Sequence, residues 1–543
     1  MPNTSYLEAS LALAITASFL VAPATAQTAN IETVVEAGRQ AARANEHEQA
    51  IAAFRQAIDS APERRHEWLI ELADQLTWSK QLDEAIARYR EAATTDDETQ
   101  ERDARIGLAR ALSWQGRHRQ AVAEYDKVIA LDPGNREPRL ARAEVLTWDG
   151  RLGEALAAYD GIVKDYPDEA RALRGQGKML SWRGRHRTAR SKMQELLQER
   201  PNDREATAIL ADSLIWMGRP DRAEPVLRAQ INADPGDERA RWMLDDLQRW
   251  QRPEARIDIR SFDQSDNLEI LESTVDTRFR FENGRGTFGL RYGEGRFTPG
   301  GRPADRITVR RPGVYAGYRF SDAIELHGGF ALDFIDVGDT TGYDGLPTFE
   351  AYATYRPKDR LRFDFGVSRR IFDSEEALQL GLTVTQFDAS ADFQPDERTT
   401  LSARASFADY SDANERRWWQ LQLSRRLLDK PRVTIGYRYT GFDFKNSWQR
   451  GYYSPDRFQS HELLVQAYGN FSKRLRWDLR LAGGYETEGP DSSKFTVNTG
   501  VSLTRHIDAN LEIEAGYDYS SSRTISDGGF ERGIVRVTLR KRF

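Results

Sequence analysis

Two periodicities divide the chain. From residue 31 to about 250 apolar positions return every three to four residues, the spacing of one helix face, and after Pro253 the spacing drops to two. VTIGYRYTGF (433–442), LRFDFGV (361–367) and LEIEAGYDY (511–519) show the second pattern plainly. Alternation places successive side chains on opposite faces of a strand. About sixteen such segments run from Arg256 to the last residue, so 256–543 is expected to be an antiparallel β domain behind an α-helical one.

Inside the helical part three ladders share one period. Trp114, Trp148, Trp182 and Trp216 are 34 residues apart, as are Gly116, Gly150, Gly184 and Gly218, and Pro133, Pro167, Pro201 and Pro235. Each unit reads as two amphipathic helices; in ARALSWQGRHRQAVAEYDKVIALDPGN the turn falls at Gln115 to Arg119 and the stop at Asp132-Pro133. A 34-residue helix-turn-helix unit resembles the tetratricopeptide repeat. Ala121, Ala155 and Ala223 sit where the helices must approach closely, and Tyr125 and Tyr159 follow four residues later. Looser units are marked by Phe54 and Pro62 and by Trp78, Ala85 and Tyr89, which gives about six repeats between 31 and 235. ERARWMLDDLQRW (238–250) then reads as a capping helix, so the solenoid spans 31–250. The tryptophans could form an aromatic groove for a ligand or fill the space between the two helices of their own unit. A residue recurring once per unit is what solenoid stacking requires, so Trp114, Trp148, Trp182 and Trp216 are expected to be structural. The array still offers a concave surface of the kind that docks protein partners.

The links between the alternating segments decide what the β domain is. After Asn283-Gly284 every second link is short: 320–323, 357–360, 395–398, 428–431, 472–474 and 507–509. The links between them are mostly longer, including 293–306, 337–347, 445–460 and 521–532. Short turns at one rim and long loops at the other are the signature of an outer-membrane barrel. Parity then sorts the side chains. Val433, Ile435, Tyr437 and Tyr439, Leu475, Trp477, Leu479 and Leu481, and Leu511, Ile513, Ala515, Tyr517 and Tyr519 are expected to face lipid, with tyrosines near the rims as girdles. Arg362, Asp364, Arg432, Arg438, Arg476, Asp478, Arg480, Glu512, Glu514 and Asp518 lie on the other parity and are expected to line a hydrophilic pore. An even strand number returns both barrel ends to the periplasmic rim, where a secreted helical domain would lie.

Composition is consistent with this and narrows it. A hydrophobic content of 39% with mean hydropathy −0.67 excludes a bundle of apolar membrane helices but not a barrel, whose strands alternate. Net charge is −6, which gives no basic footprint for nucleic acid. The absence of cysteine removes disulfides and thiolate metal sites. At the N-terminus Leu11 to Ala22 is an apolar run followed by Ala24-Thr25-Ala26, which suits a signal peptide over 1–26 cleaved before Gln27, although MPNTSYLEAS lacks the usual basic residue. His327, His461 and His506 are the barrel histidines; His461 is near Ser454 and Ser460, but no acid, base, metal-ligand cluster or phosphate loop stands out. Neither an enzyme nor a cofactor or metal site is expected.

The units carrying L-x-W-x-G-R, a following barrel of about sixteen strands, and the stretch GYYSPDRF (451–458) together resemble the outer-membrane exporters of exopolysaccharide. The resemblance is to the cellulose synthase export subunit's C-terminal barrel and the YaiO-type barrels, and more distantly to the poly-N-acetylglucosamine exporter. It implies a passive conduit for a polysaccharide chain, with the repeats meeting periplasmic or inner-membrane synthase or modifying proteins, or the growing polymer. It also implies polymer contacts at the outer mouth by Tyr452, Tyr453, Ser454, Asp456 and Arg457. The same stretch also reads as a structured loop whose tyrosines belong to the girdle and whose Ser-Pro sets a turn. The other reading of the whole chain is a surface receptor or structural barrel whose repeats recruit periplasmic partners. GIVRVTLRKRF resembles the terminal insertion signal of such barrels, with Phe543, Leu539, Val537 and Val535 on one parity and Lys541 as a departure.

Overall fold

The structure, a computed structural model, describes residues 30–338, 342–372, 374–447, 451–488, 492–522 and 531–543. The expected signal peptide over 1–26 lies outside these. The chain divides into two compact units at Met179/Leu180, and each is taken separately.

The first unit holds α1 (30–43), α2 (His47–Ser60), α3 (Leu69–Trp78), α4 (Leu82–Ala92), α5 (Glu98–Trp114), α6 (His118–Leu131), α7 (Arg136–Trp148), α8 (Leu152–Asp165) and most of α9 (Ala170–Trp182). The recurring glycines end the first helix of each repeat. Gly116 and Gly150 have φ of 81° and 74°, a left-handed conformation that favours glycine. They let the next N–H turn back onto the helix: Arg117 donates to Leu112 O at 2.8 Å and Arg151 to Leu146 O at 3.0 Å. Packing falls to other positions. Leu112, Leu146, Ala121, Ala155, Tyr125 and Tyr159 are all buried.

Here the tryptophan expectation fails. Trp114 and Trp148, and Trp182 and Trp216 in the second unit, are 46%, 57%, 55% and 74% exposed. Each is the last residue of its helix and follows the buried Leu112, Leu146, Leu180 or Leu214 by two positions, about 200° around the helix, so its ring is turned away from that leucine. The close approach is made by glycine and tyrosine. A Cβ on Gly107 would lie 2.2 Å from the Tyr89 ring, and one on Gly175 would lie 2.4 Å from the Tyr159 ring. Gly107→Ala is therefore expected to destabilise this unit by about 1–3 kcal/mol through overpacking, read as a lowered thermal midpoint of the helical signal.

The second unit begins with the end of α9 and continues with α10 (His186–Glu199), α11 (Arg204–Trp216), α12 (Pro220–Ala233) and α13 (Glu238–Gln251). Sixteen strands follow: β1 (Glu254–Gln264), β2 (Leu268–Phe281), β3 (Gly286–Pro299), β4 (Ile307–Arg319), β5 (Ile324–Asp336), β6 (Tyr343–Lys358), β7 (Leu361–Ile371), β8 (Thr383–Phe393), β9 (Thr399–Tyr410), β10 (Glu415–Asp429), β11 (Arg432–Phe444), β12 (Phe458–Ser472), β13 (Leu475–Thr487), β14 (Ser493–His506), β15 (Leu511–Ser520) and β16 (Arg532–Arg542). Each pairs antiparallel with its sequence neighbours, and β1 closes on β16 with Glu254 opposite Arg542. Closure leaves no unpaired edge, as hydrocarbon requires.

Parity is as expected. Ile435, Tyr437, Leu481, Ile513, Tyr517, Val535 and Val537 face outward, and so do Phe279, Phe281, Phe288, Tyr318 and Phe320 beside the short-turn rim. The last group packs ring on ring, with Phe279 and Phe288 centroids 5.1 Å apart and Tyr318 and Phe320 4.8 Å apart, which makes an aromatic girdle.

Arginines of α10–α12 fasten these helices to the short-turn rim. Arg187 N–H donates to the Asp359 carboxylate at 3.1 Å, and its guanidinium donates to Pro357 O at 2.6 Å and Asp322 O at 2.7 Å. Arg190 and Arg219 both donate to the Asp322 carboxylate, and Arg183 pairs with Glu397. Arg319, at the end of β4, donates to Met217 O at 3.1 Å, and Arg280 of β2 stacks on Trp250 at 4.4 Å.

Candidate functional site: the lumen and its outer plug

The inward parity of the strands builds a wall of paired charges. Asp258 is buried and accepts from Arg260 at 2.7 Å, Arg256 at 2.9 Å and Thr538 at 2.7 Å. Glu254 meets Arg542 at 3.2 Å and Arg540 at 3.7 Å; Arg540 reaches Glu512 at 2.8 Å; Arg536 joins Glu514 at 3.2 Å and Asp518 at 3.4 Å. Arg480 extends the chain to Asp518 at 2.8 Å and Asp478 at 3.2 Å. The ladder thus runs across five strands. Elsewhere Arg362 holds Asp364 at 2.8 Å and Arg438 holds Glu462 at 2.8 Å. Arg432 lies over the Tyr468 ring at 5.4 Å, and Arg476 donates to Thr504 at 3.4 Å. Every pore-lining candidate read from alternation therefore lies on the inward parity of its strand. Glu254, Asp258, Glu462, Arg536 and Arg540 belong to the same wall, and the same alternation could have found them. Such a surface is dense in donors and acceptors, yet most of its cations are met by carboxylates, which keeps the net field small.

Toward the long-loop end the inward parity turns apolar. Phe262, Leu268, Ile270, Phe297, Ile307, Val309, Ile335 and Ile371 form one cluster, drawn mainly from β1–β5. Val384, Ala408, Tyr410, Phe442, Phe444 and Phe458 form another, drawn from β8–β12. Between them lies the β7–β8 connection, which folds inward as the short helix α14 (Glu375–Gln379). Leu378 packs in the first cluster and its neighbour Ala377 in the second. The segment therefore crosses the outer lumen from one wall to the other.

GYYSPDRF fixes that plug. Gly451 has φ of 71°, and a Cβ there would lie 2.6 Å from Glu376 Cβ, so the loop rests directly on α14. Tyr452 is buried, its ring stacked on Tyr410 at 5.0 Å and tilted against Phe372 at 5.4 Å. Its hydroxyl donates to Asp412 and accepts from Asn414, both at 2.9 Å. Burial, only partly offset by the Asn414 hydrogen bond, raises the phenol's pKa. Tyr453 packs edge-on against Phe442 and Phe458, and Ser454 is buried. Only Asp456 and Arg457 of this stretch are exposed. A polymer-contact role for Tyr452 is thus at odds with its position: the ring face is already covered by the loop's own collapse onto the strand ends. His461 and Ser460 lie on opposite faces of β12, and His461 Nδ1 is 2.6 Å from the Tyr437 hydroxyl, so the neighbouring serine and histidine do not pair.

Together the fold and lumen define an outer-membrane β-barrel that carries a periplasmic tetratricopeptide region. The family described as the PgaA membrane beta barrel domain matches residues 342–543, and tetratricopeptide repeat families match 79–136, 115–178 and 183–244. The barrel match thus spans β6 to β16, and the repeat matches fall in the helical part of the chain. None of the curated proteins matches. Among solved structures, a "Bacterial polysaccharide outer membrane secretin" is 16% identical, covering 54% of this chain and 99% of its own at a TM-score of 0.44. A tetratricopeptide repeat protein from Parabacteroides merdae is 18% identical, covering 40% and 84% at 0.36. CdiB from Acinetobacter baumannii is 9% identical, covering 54% and 60% at 0.35.

Proposed function

We propose that this chain conducts an exopolysaccharide across the outer membrane, while its repeats dock synthesis or modifying proteins in the periplasm. The paired-charge wall carries this reading: a strand of sugar units needs hydroxyl-bonding partners along its length, and closely spaced carboxylates and guanidiniums supply both donors and acceptors. Asp456 and Arg457 remain the exposed candidates for polymer contact beside the outer end. The measurement is polymer partition in a strain lacking the gene. Secreted polysaccharide is expected to fall and periplasmic polymer to rise, both restored by the wild-type chain; unchanged secretion overturns the reading. One observation favours the alternative of a closed receptor or structural barrel, namely the plug seated between the two apolar clusters. Conductance separates the two.

A further inference from the structure

The charges of the inner wall are paired, but the two members of a pair are not equally presented. Asp258 and Asp333 have side chains 4% and 0% exposed, whereas their partners Arg256, Arg260 and Arg311 are 39%, 44% and 39% exposed. Asp276 likewise lies deeper than Arg291, Glu462 deeper than Arg438 and Glu254 deeper than Arg542. Arg536 departs from this, being as exposed as Glu514 and Asp518. The cause is local. A carboxylate stands two positions from an arginine on one strand, as Asp258 does, or opposite one on the next, as Asp276 and Glu462 do, and the longer side chain covers it. The lumen therefore meets guanidinium first and carboxylate behind it. A bidentate carboxylate occupies two of the five guanidinium N–H donors, which leaves others for a second anion.

This presentation is concentrated under the plug. A cavity of about 450 Å³ opens there, bordered by Arg256, Arg260, Arg291, Arg311 and Arg370. Phe297, Val309 and Ile371 of the first apolar cluster and Phe372 of the second close it toward the long-loop end. Arg291, Arg311 and Arg370 also border an adjoining hollow of about 220 Å³. Among the described residues Glu350 is the one carboxylate on that hollow, 3.7 Å from Arg291. Inward positions without a side chain make the room: Gly293 and Gly295 on β3, Gly313 on β4 and Gly329 on β5. Arg370 lies over the Phe372 ring at 4.8 Å, which ties the arginine group to the plug. We propose that these hollows hold an acidic sugar unit, its anionic group gripped by Arg291, Arg311 and Arg370, so that the polymer conducted is polyanionic. This rests on the export reading above and deepens it by assigning the polymer's charge. A cationic chain would meet guanidiniums before any carboxylate could reach it. A neutral chain would forgo charge-assisted bonds at a wall where, around the larger cavity, every polar side chain except Ser273 and Thr274 is charged. The guanidinium fork matches carboxylate, sulfate and phosphate alike, and the shared feature is the anion.

The test is calorimetric titration of the full-length chain in detergent with four hexamers: hexagalacturonate, sulfated cellohexaose, cellohexaose and the glucosamine hexamer. At least one of the two anionic hexamers is expected to bind about tenfold or more tightly than the neutral and cationic ones, and to weaken as salt rises. Binding of hexagalacturonate alone assigns a carboxylate, and of the sulfated hexamer alone an ester of the sulfate or phosphate kind. Arg370→Gln is expected to weaken the binding about tenfold. Arg311→Gln combined with Asp333→Asn leaves the wall's net charge unaltered and strands no buried carboxylate, yet should weaken binding about three- to tenfold because the presented member of the pair is gone. This double variant carries the test should Arg370→Gln melt early. Reversal potentials in a potassium chloride gradient give a reading without sugar: wild-type openings should favour chloride, and those of the double variant less so. A neutral or cationic hexamer binding as well as the anionic ones, no binding of either anionic hexamer, anion binding unchanged in both variants, or openings selective for potassium overturns the site. The export reading is judged separately. Secretion lost on deletion, with a neutral polymer as the cargo, leaves the conduit standing and sinks the acidic station; anion binding in a chain whose deletion does not alter secretion leaves the station standing without export.

Discussion

Excising residues 374–381 and joining the flanks with a short Gly-Ser link will turn a poorly conducting barrel into a steadily open pore. The segment contains α14, whose Leu378 and Ala377 belong one to each apolar cluster, as do Ile371 and Phe372 just before it. Apolar constrictions gate by excluding water, so closing this one requires both walls and the crosspiece. Without the crosspiece, the clusters face each other across a space that sixteen strands hold open, and the charged wall below admits water. The sixteen-strand ladder does not depend on α14, so insertion should be unaffected. Planar-bilayer recordings check this. Rare, small openings in the wild type and a sustained ohmic conductance in the variant are expected, along with sensitivity of cells to large antibiotics. Equal, low conductance in both would place the barrier elsewhere and favour a closed structural barrel. Phe458→Ala gives an intermediate case. Phe458 is fully buried and stacked on Phe442 at 4.5 Å, so its loss should cost about 3–5 kcal/mol locally. That cost falls on the loop clamp, and flickering openings in the same recordings are its expected sign.

Much of this was legible from alternation alone. The strand number, the short and long links and the two faces of each strand follow from period-two spacing, because closure lets every strand obey the same rule. The plug is not explicit in the alternation, although it leaves a trace: Phe442 and Phe444 sit on the parity of Arg432 and Arg438, where a uniformly polar lumen would not place them. Such breaks in parity at the outer strand ends mark where loops fold inward. Tyr452 looked like mouth chemistry because an aromatic in a loop carries no sign of what covers it; Tyr410, Phe372 and Asn414 come from other parts of the chain. The tryptophan positions are ambiguous for a related reason. Recurrence shows that a position matters once per repeat, but a residue ending a helix can serve packing or display, and only the burial of its neighbours tells which. The arginine clasp is the least legible feature, since Arg187 and Asp359 are joined only by tertiary geometry.

That clasp should give way when Asp322 is neutralised. Asp322 lies in the turn between β4 and β5, where Arg190 and Arg219 donate to its carboxylate and Arg222 approaches at 3.5 Å. Arg219 is almost fully buried; it keeps Asp221 at 2.7 Å, so losing Asp322 leaves it only partly uncompensated. Removing one partner of a buried pair costs about 3–5 kcal/mol, and the retained Asp221 contact lowers the expectation for Asp322→Asn to about 2–3 kcal/mol. In the rim-bound helices that corresponds to amide exchange faster by about thirty- to a hundred-and-fiftyfold in α10 and α12, with the barrel strands unchanged. Acid should act likewise. Burial alone would raise the Asp322 carboxyl; the Arg190 hydrogen bond and the charges of Arg190, Arg222 and Arg219 outweigh it and hold the carboxyl below the ordinary aspartate range. A depressed folded pKa means the contribution is complete above the unfolded value, near 3.9, and is lost as pH falls from there through the folded one. Exchange should therefore be insensitive to Asp322 protonation between about pH 5 and 8 and rise in wild type only in stronger acid, whereas the Asn variant is already loose at pH 7. Wild-type protection in Asp322→Asn at pH 7 would show that the contacts not involving the Asp322 carboxylate, those of Arg187, Arg183 with Glu397 and Arg319 with Met217 O, suffice to hold the helices. Because only Arg252 and Pro253 separate α13 from β1, a loosened clasp leaves these helices tethered at the rim but no longer fixed in direction. If the chain exports a polymer as proposed above, secretion should fall in the same variant even though the barrel and the repeats remain folded.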